Sequence, residues 1–328
     1  MSGAARPPRI SDIEDAAGRL IGATIVTPLL ESPELNRHLG GRLLVKAECL
    51  QRTGSFKLRG AMNRLTLLSA AERKRGVVAF SSGNHAQGVA FAARTLGIRA
   101  TIVMPKDAPA VKIANTRSHG AKVVLYDRHT ESREKIAAAL AAKTGATLVP
   151  PFDDPAIVAG QGTCGLEIAA QAGAMGARLD AVIVPASGGG LASGIGIALA
   201  DRSPRTKLVV AEPAGLDDLT RSLRTGRRQH NRADARSICD ALGVRTPGKL
   251  TLGILRALGA RGVVVSDKEA LAAIATAFSA LHIVIEPGGA VALAAALTGK
   301  VKVKGRCVAV VCSGGNVDPA IFARAIGQ

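Results

Sequence analysis

The chain of 328 residues is long enough for two domains or one large one, each with its own core. Hydrophobic residues make up 47% and charged residues 21%, and no uncharged apolar run reaches the roughly eighteen residues that a membrane helix needs, which excludes a spanning helix. A formal charge of +18 invites nucleic acid, but aromatic side chains make up only 2%, too few to stack bases, and the densest basic stretch, from Arg221 to Arg236, is broken by Asp234 and reads as a solvated face.

The N-terminal segment carries acids early and has no apolar stretch of a secretory signal, so none is expected. In chain order, the apolar runs at 43–48, 77–80, 101–104, 122–126, 181–185, 207–211, 262–266 and 306–312 predict strands. Helical periodicity lies between them, at 86–96, 132–142, 165–172, 191–199 and 268–281. Strands that are apolar throughout and joined by helices imply parallel sheets covered on both faces. No repeat of fixed period interrupts this order. The five cysteines (Cys49, Cys164, Cys239, Cys307, Cys312) are odd in number and lack CxxC spacing, which suits reduced thiols in a cytoplasm rather than disulfides or a zinc site.

Three strand ends run into small-residue turns that open helices: SSGNH after Phe80, SGGG after Ala186 and SGGN after Cys312. In parallel sheets, ligands bind outside the carboxyl ends of strands, where helix N-termini offer free N–H groups. One ligand held from several sides and three unrelated tight turns both remain open on this evidence. The run from Ser187 to Gly190 is neither GxGxxG nor a nucleotide P-loop, but its backbone would cradle a single phosphate or simply cap a helix. Lys57, in TGSFKLRGAMNRL, lies between Phe56 and Leu58 at a helix start. A lysine there is either a desolvated nucleophile for carbonyls or a surface side chain with a buried stem.

SFKLRGA, SSGNHAQGVA, SGGGLASG, EPGGA and CSGGNVD follow one another from residue 55 to residue 318. As an ordered set they resemble the fold-type II pyridoxal phosphate (PLP) enzymes, in particular the threonine/serine dehydratase and serine racemase group. The resemblance implies an α/β fold like that of the tryptophan synthase β chain, with two domains of parallel-rich, helix-covered sheets and PLP in the cleft between them. The large domain would combine residues 1–75 with 152–328, and the small mobile one would span 76–151. A cytoplasmic homodimer without nucleic-acid or membrane partners is expected.

Carried over residue by residue, the resemblance makes Lys57 the imine-forming lysine and the base at Cα, with Phe56 packed near the ring. Ser187, Gly188, Gly189, Gly190 and Leu191 would bind the phosphate, with Ser187 standing where most relatives have glycine. Asn84 would meet the ring hydroxyl, and Ser313 the pyridine nitrogen. The backbone of Ser81, Ser82, Gly83, Asn84 and His85 would take the substrate carboxylate. Ser82 has two open roles: a proton carrier on the face opposite Lys57, as in racemase-like relatives, or a helix cap. Glu286 either tunes the ring or is an ordinary turn residue. Arg133 either binds a second substrate carboxylate or lies exposed beside its acidic neighbours. Glu212, Asp218 and the Leu216 carbonyl match a site for Mg²⁺ or Ca²⁺. The expected activity is an ammonia-lyase acting on L-serine, L-threonine or a related hydroxy-amino acid. The alternative is a 3-hydroxyaspartate ammonia-lyase or a serine racemase with lyase side activity.

Overall fold

The computed structural model describes residues 6–108, 110–128 and 130–327, apart from the side chain of Val111. In chain order its strands are β1 (Leu29–Glu31), β2 (Arg42–Lys46), β3 (Val77–Phe80), β4 (Ala100–Pro105), β5 (Lys122–Tyr126), β6 (Thr147–Leu148), β7 (Ala181–Pro185), β8 (Lys207–Pro213), β9 (Arg261–Val265) and β10 (Cys307–Val311). They form a six-stranded sheet, ordered β1-β2-β10-β7-β8-β9, and a four-stranded sheet, ordered β5-β4-β3-β6. Every pairing is parallel except that of β1 with β2. The expected α/β class is therefore observed.

The centre of the larger sheet is formed by β10 and β7, whose residues are all buried. Continuous Val, Ile and Ala runs fit there because helices cover both faces. Because β10 pairs with β7 in parallel, the loops that follow them, starting near Cys312 and Ala186, emerge side by side. On one face lies helix Pro287–Leu297, which supplies Val291 and Leu293 to the core. On the other lies helix Gly190–Arg202, which supplies Leu191 and Ile195.

The helix that begins at Lys57 (Lys57–Thr66) packs Leu58, Ala61, Met62 and Leu65 into the core of the smaller sheet, against Ala79, Ile102 and Met104. Its other side meets helix Pro155–Ala174 almost backbone to backbone. A Cβ on Gly160 would stand 2.6 Å from the Arg59 carbonyl, so only glycine allows this approach. Lys57 thus starts a helix wedged between the two sheets. Helix Pro155–Ala174 starts because Asp154 accepts from the amides of Ala156 and Ile157 at 2.8 and 3.0 Å, with proline at its first position. No helix of the described residues is long and apolar enough to cross a membrane.

Candidate active site

Lys57 is half-buried, and its ammonium donates to the Pro151 carbonyl at 2.8 Å. The Phe56 ring lies 5.2 Å from the same nitrogen. No carboxylate offsets the loss of water, so desolvation lowers Lys57 to about 8. A substantial share of neutral amine, the form that attacks carbonyls, is then present near neutral pH. Phe56 is tied to the end of β10, its amide donating to the Ser313 carbonyl at 3.1 Å.

The turn after β3 opens helix Asn84–Thr95. The Gly83 amide donates to Ser81 Oγ at 3.1 Å. The amides of Ser82, Asn84, His85 and Ala86 have no partner among the described residues, as the first turn of a helix requires. These free donors are of the kind that bind anions at helix N-termini. Ser82 is half-buried, and its hydroxyl makes no hydrogen bond among the described residues. His85 is buried with Nε2 3.0 Å from the Val149 carbonyl, and burial, followed by the charge of Lys57, pushes it down to about 3. It is a neutral imidazole that donates to that carbonyl and braces the loop.

The second cradle follows β7. Among the described residues, the amides from Ser187 to Ala192 carry no hydrogen bond until Ser193 donates to the Gly189 carbonyl. Gly189 has φ +92°, in the left-handed region, and a Cβ on Gly188 would overlap the Phe152 ring at 2.3 Å. The Ser187 hydroxyl donates to the Leu242 carbonyl at 2.8 Å, so the serine anchors its loop through the side chain and leaves its amide free. Phe152 follows the very proline whose carbonyl meets Lys57, which brings lysine and cradle together.

On the third side, Asn84 Nδ2 donates to Glu286 Oε1 at 2.5 Å, and Asn316 Nδ2 donates to Asn84 Oδ1 at 2.8 Å. Burial pushes Glu286 up to about 7, although the charge of Lys112 works the other way. A Cβ on Gly314 would lie 2.1 Å from Glu286 Oε1. Ser313 is buried in the strand-end loop joined to Phe56. Around these residues Thr53 Oγ1, Ser55 Oγ, Gln87 Nε2 and Glu286 Oε2 are buried without partners. Orphaned polar atoms at such density mark a place where a polar ligand completes the bonding.

Arg133 stands at the edge of this site. Its guanidinium lies over the Phe80 ring, 5.5 Å from the centroid, and donates to Glu134 at 2.9 Å. Phe80 is the last residue before the Ser81 loop, so Arg133 overlooks the loop's start. Glu212, Leu216 and Asp218 lie elsewhere, at the end of β8 and the start of helix Asp218–Thr225. Both carboxylates are fully buried; desolvation raises Glu212 to about 8 and Asp218 to about 7. Glu212 accepts from the amides of Leu219 and Thr220, and Asp218 Oδ1 from Asn231, but Asp218 Oδ2 and Thr220 Oγ1 lack partners. No group of three or more His, Cys, Asp or Glu side chains suited to a metal occurs among the described residues, so the predicted trio relies on a backbone carbonyl.

Sequence reading passed over Pro151, Phe152 and Asn316. The Asp-Asp-Pro that follows Phe152 is a local helix-start signal that points to the turn, but the contact with Lys57 spans 94 positions and leaves no local trace.

An amine lowered toward neutrality, a cradle of free amides and unpartnered buried polar groups suit an aldehyde cofactor with one phosphate. The chain matches the family described as "Pyridoxal-phosphate dependent enzyme" over residues 21–313. It is 40% identical over 319 residues to an L-threo-3-hydroxyaspartate ammonia-lyase of Saccharomyces cerevisiae, covering 97% of this chain and 96% of that protein. It is 44% identical over 307 residues to a protein of the same name from Pseudomonas sp, covering 94% and 95%. The structure of maize serine racemase superposes with a TM-score of 0.91 at 34% identity, covering 98% of each chain. Lysine, cradle and matched length agree: the chain belongs to the pyridoxal-phosphate dependent enzymes.

Proposed function

We propose that this enzyme is an ammonia-lyase for small β-hydroxy-amino acids and that 3-hydroxyaspartate is its preferred substrate. The observation that carries the reading is Lys57, desolvated and held at the Pro151 carbonyl, set between the two loops rich in free amides. The preference shifts from L-serine and L-threonine to a β-carboxylated substrate on Arg133, seated on Phe80 beside the carboxylate loop, and on the names of the two ammonia-lyase relatives.

PLP, when bound, supplies an electron sink for the carbanion at Cα. Lys57, as a neutral amine, takes the Cα proton, and its ammonium then protonates the departing β-hydroxyl. The free amides of Ser82, Asn84, His85 and Ala86 hold the α-carboxylate, together with the Ser81 and Gly83 turn. Arg133 holds the β-carboxylate through its paired N–H groups once Glu134 is displaced. The amides of Ser187, Gly188, Gly189, Gly190 and Leu191 would hold the cofactor phosphate. The Ser313 hydroxyl would donate to the ring nitrogen and, unlike a carboxylate, would leave that nitrogen neutral. Asn84 would hold the ring hydroxyl, and Phe56 and Glu286 would border the ring. Loss of water yields an enamine that hydrolyses to a 2-oxo acid and ammonia.

The same reading assigns Mg²⁺ or Ca²⁺ to Glu212, Asp218 and the Leu216 carbonyl, where Asp218 Oδ2 lacks a partner. It makes the protein a cytoplasmic homodimer in which a unit at 76–151 closes over the substrate against residues 1–75 and 152–328. Closure excludes water and strengthens the fields around Cα. A second reading, serine racemase with lyase side activity, is favoured by the unengaged hydroxyl of Ser82 and the likeness to the maize protein.

Release of ammonia and 2-oxo acid over L- and D-serine, L-threonine and the four 3-hydroxyaspartates, with chiral analysis of what remains, tests both readings. We expect kcat/KM for one 3-hydroxyaspartate to exceed that for L-serine by at least about ten-fold, and that ratio to collapse in Arg133→Leu. Equal use of serine and hydroxyaspartate by the unaltered enzyme overturns the preference, and accumulation of D-serine from L-serine favours the racemase.

A further inference from the structure

Lys112 lies on helix Ala110–Ser118, which packs on the smaller sheet, and is only 7% exposed. Its ammonium donates to Asp240 Oδ2 at 2.7 Å, across 128 positions of sequence. A Cβ on Gly83, in the loop assigned to the substrate carboxylate, would stand 3.7 Å from the same nitrogen. Asp240 begins the short 3-10 turn Asp240–Leu242, and the Leu242 carbonyl receives the Ser187 hydroxyl. A single ion pair therefore ties the helix whose lysine stands beside the loop after β3 to the turn that anchors the loop after β7. Lys112, Asp240, Glu286 and Asn316 together wall a cavity of about 280 Å³ behind the Asn84–Glu286 contact.

Stability gives a poor account of this pair. Asp240 has a side chain 52% exposed, and an ion pair with so exposed a partner adds little to stability. Burying the lysine ammonium costs free energy that so weak a pair does not recover. The position of the charge is what the arrangement secures: it backs a loop whose amides are free to face an anion. An ammonium there adds to the positive potential of the helix terminus at the point where the carboxylate arrives.

We infer that Lys112 is a positioning residue for substrate: its charge backs the carboxylate loop and, through Asp240, fixes that loop against the phosphate cradle. This rests on the loop assignments made above. The test uses holoenzyme, in unaltered form and as Lys112→Met, Lys112→Arg and Asp240→Asn, titrated with glycine, which has no β-hydroxyl to lose. Binding is read from the cofactor's visible absorbance, and cofactor content per chain is measured for each variant. Lys112→Met should weaken glycine binding at least about ten-fold at full cofactor content, and Lys112→Arg should stay within about three-fold of the unaltered enzyme. Asp240→Asn should fall between them.

Glycine binding by Lys112→Met within two-fold of the unaltered enzyme overturns the assignment. So does an arginine variant no better than the methionine one, since a role in packing alone predicts no rescue by charge. Should Lys112→Met fail to keep its cofactor, Asp240→Asn decides, and unchanged glycine affinity there overturns the inference. An unaltered enzyme that binds glycine but releases ammonia from no hydroxy-amino acid refutes the lyase reading and leaves this test intact.

Discussion

Two groups of buried carboxylates in this molecule have opposite fates. Beneath the Lys57 helix, Lys46, Glu48, Arg59 and Glu167 form a saturated network. Lys46 spends its three donors on the Thr27 carbonyl, Glu167 and Gln171, at 2.5, 2.6 and 2.9 Å. Arg59 clasps Glu48 at 2.8 and 2.7 Å and Glu167 at 2.6 and 2.8 Å. Burial opposes the ionisation of Glu48, but Arg59, Lys46 and the Thr27 hydroxyl outweigh it and hold its carboxyl below the ordinary range. At Glu286 the balance reverses: one oxygen is orphaned, and burial raises the group to about 7. The saturated network fixes where Lys57 stands, two residues from Arg59. The unsaturated group waits for bonds that the protein alone does not supply.

If this contrast is right, one chemical change should act in opposite directions at the two places. Glu48→Gln removes a charge from a balanced set of two cations and two anions and leaves a buried positive charge unmatched. We expect a loss of about 3–5 kcal/mol in denaturant unfolding. A loss below about 1 kcal/mol, in the range of a weak surface pair, would mean that the network does not clamp the helix. Glu286→Gln should instead stabilise cofactor-free protein at alkaline pH. In the unfolded chain this carboxyl titrates near 4.5, and in the folded chain near 7. Between these values the folded state holds the extra proton, so the contribution of Glu286 to stability falls as pH rises and is most unfavourable above 7. Replacement should therefore be nearly neutral at pH 4 and should gain about 3 kcal/mol at pH 8. A gain independent of pH would show that Glu286 is not buried as a strained acid.

The sequence disclosed these two groups unequally. Strands such as 77–80 and 181–185 are legible to the residue, because a parallel strand covered on both faces is a continuous apolar run. Strands β1 and β6, three and two residues long, carry too little pattern to stand out. The helix expected at 165–172 runs from Pro155 to Ala174 instead, because AGQGTCG looks like a breaker. Its glycines serve close helix contact: a Cβ on Gly165 would lie 2.9 Å from Ile195 Cα on helix Gly190–Arg202. The candidate site was readable wherever backbone geometry demands a local motif, as in SSGNH and SGGG. It was unreadable wherever tertiary contact joins distant side chains. Arg59 meets Glu167 across 108 positions, and neither has a neighbour in sequence that announces the other.

The smallest effect we predict concerns the pair that shares features with both groups. Glu212 and Asp218 are buried and raised like Glu286, yet Glu212 accepts two backbone amides, as a member of a saturated set would. On the proposed reading a cation completes the pair, because Asp218 Oδ2 with Thr220 Oγ1 leaves oxygens for one. Hard oxygen donors favour Mg²⁺ or Ca²⁺ over softer metals. Because a ligand that binds only the folded state stabilises it by mass action, saturating Mg²⁺ at about a hundred times its dissociation constant should add about 2.7 kcal/mol. In thermal unfolding of cofactor-free protein that is an upward shift of several degrees, and K⁺ at equal ionic strength should not reproduce it. Asp218→Asn should abolish the response to Mg²⁺ while its remaining oxygen still accepts from Asn231 and Glu212 still accepts from Leu219 and Thr220, which separates loss of the cation from loss of the turn. A midpoint that ignores both Mg²⁺ and Ca²⁺ would return these carboxylates to the class of Glu286, strained acids whose partner is not a metal.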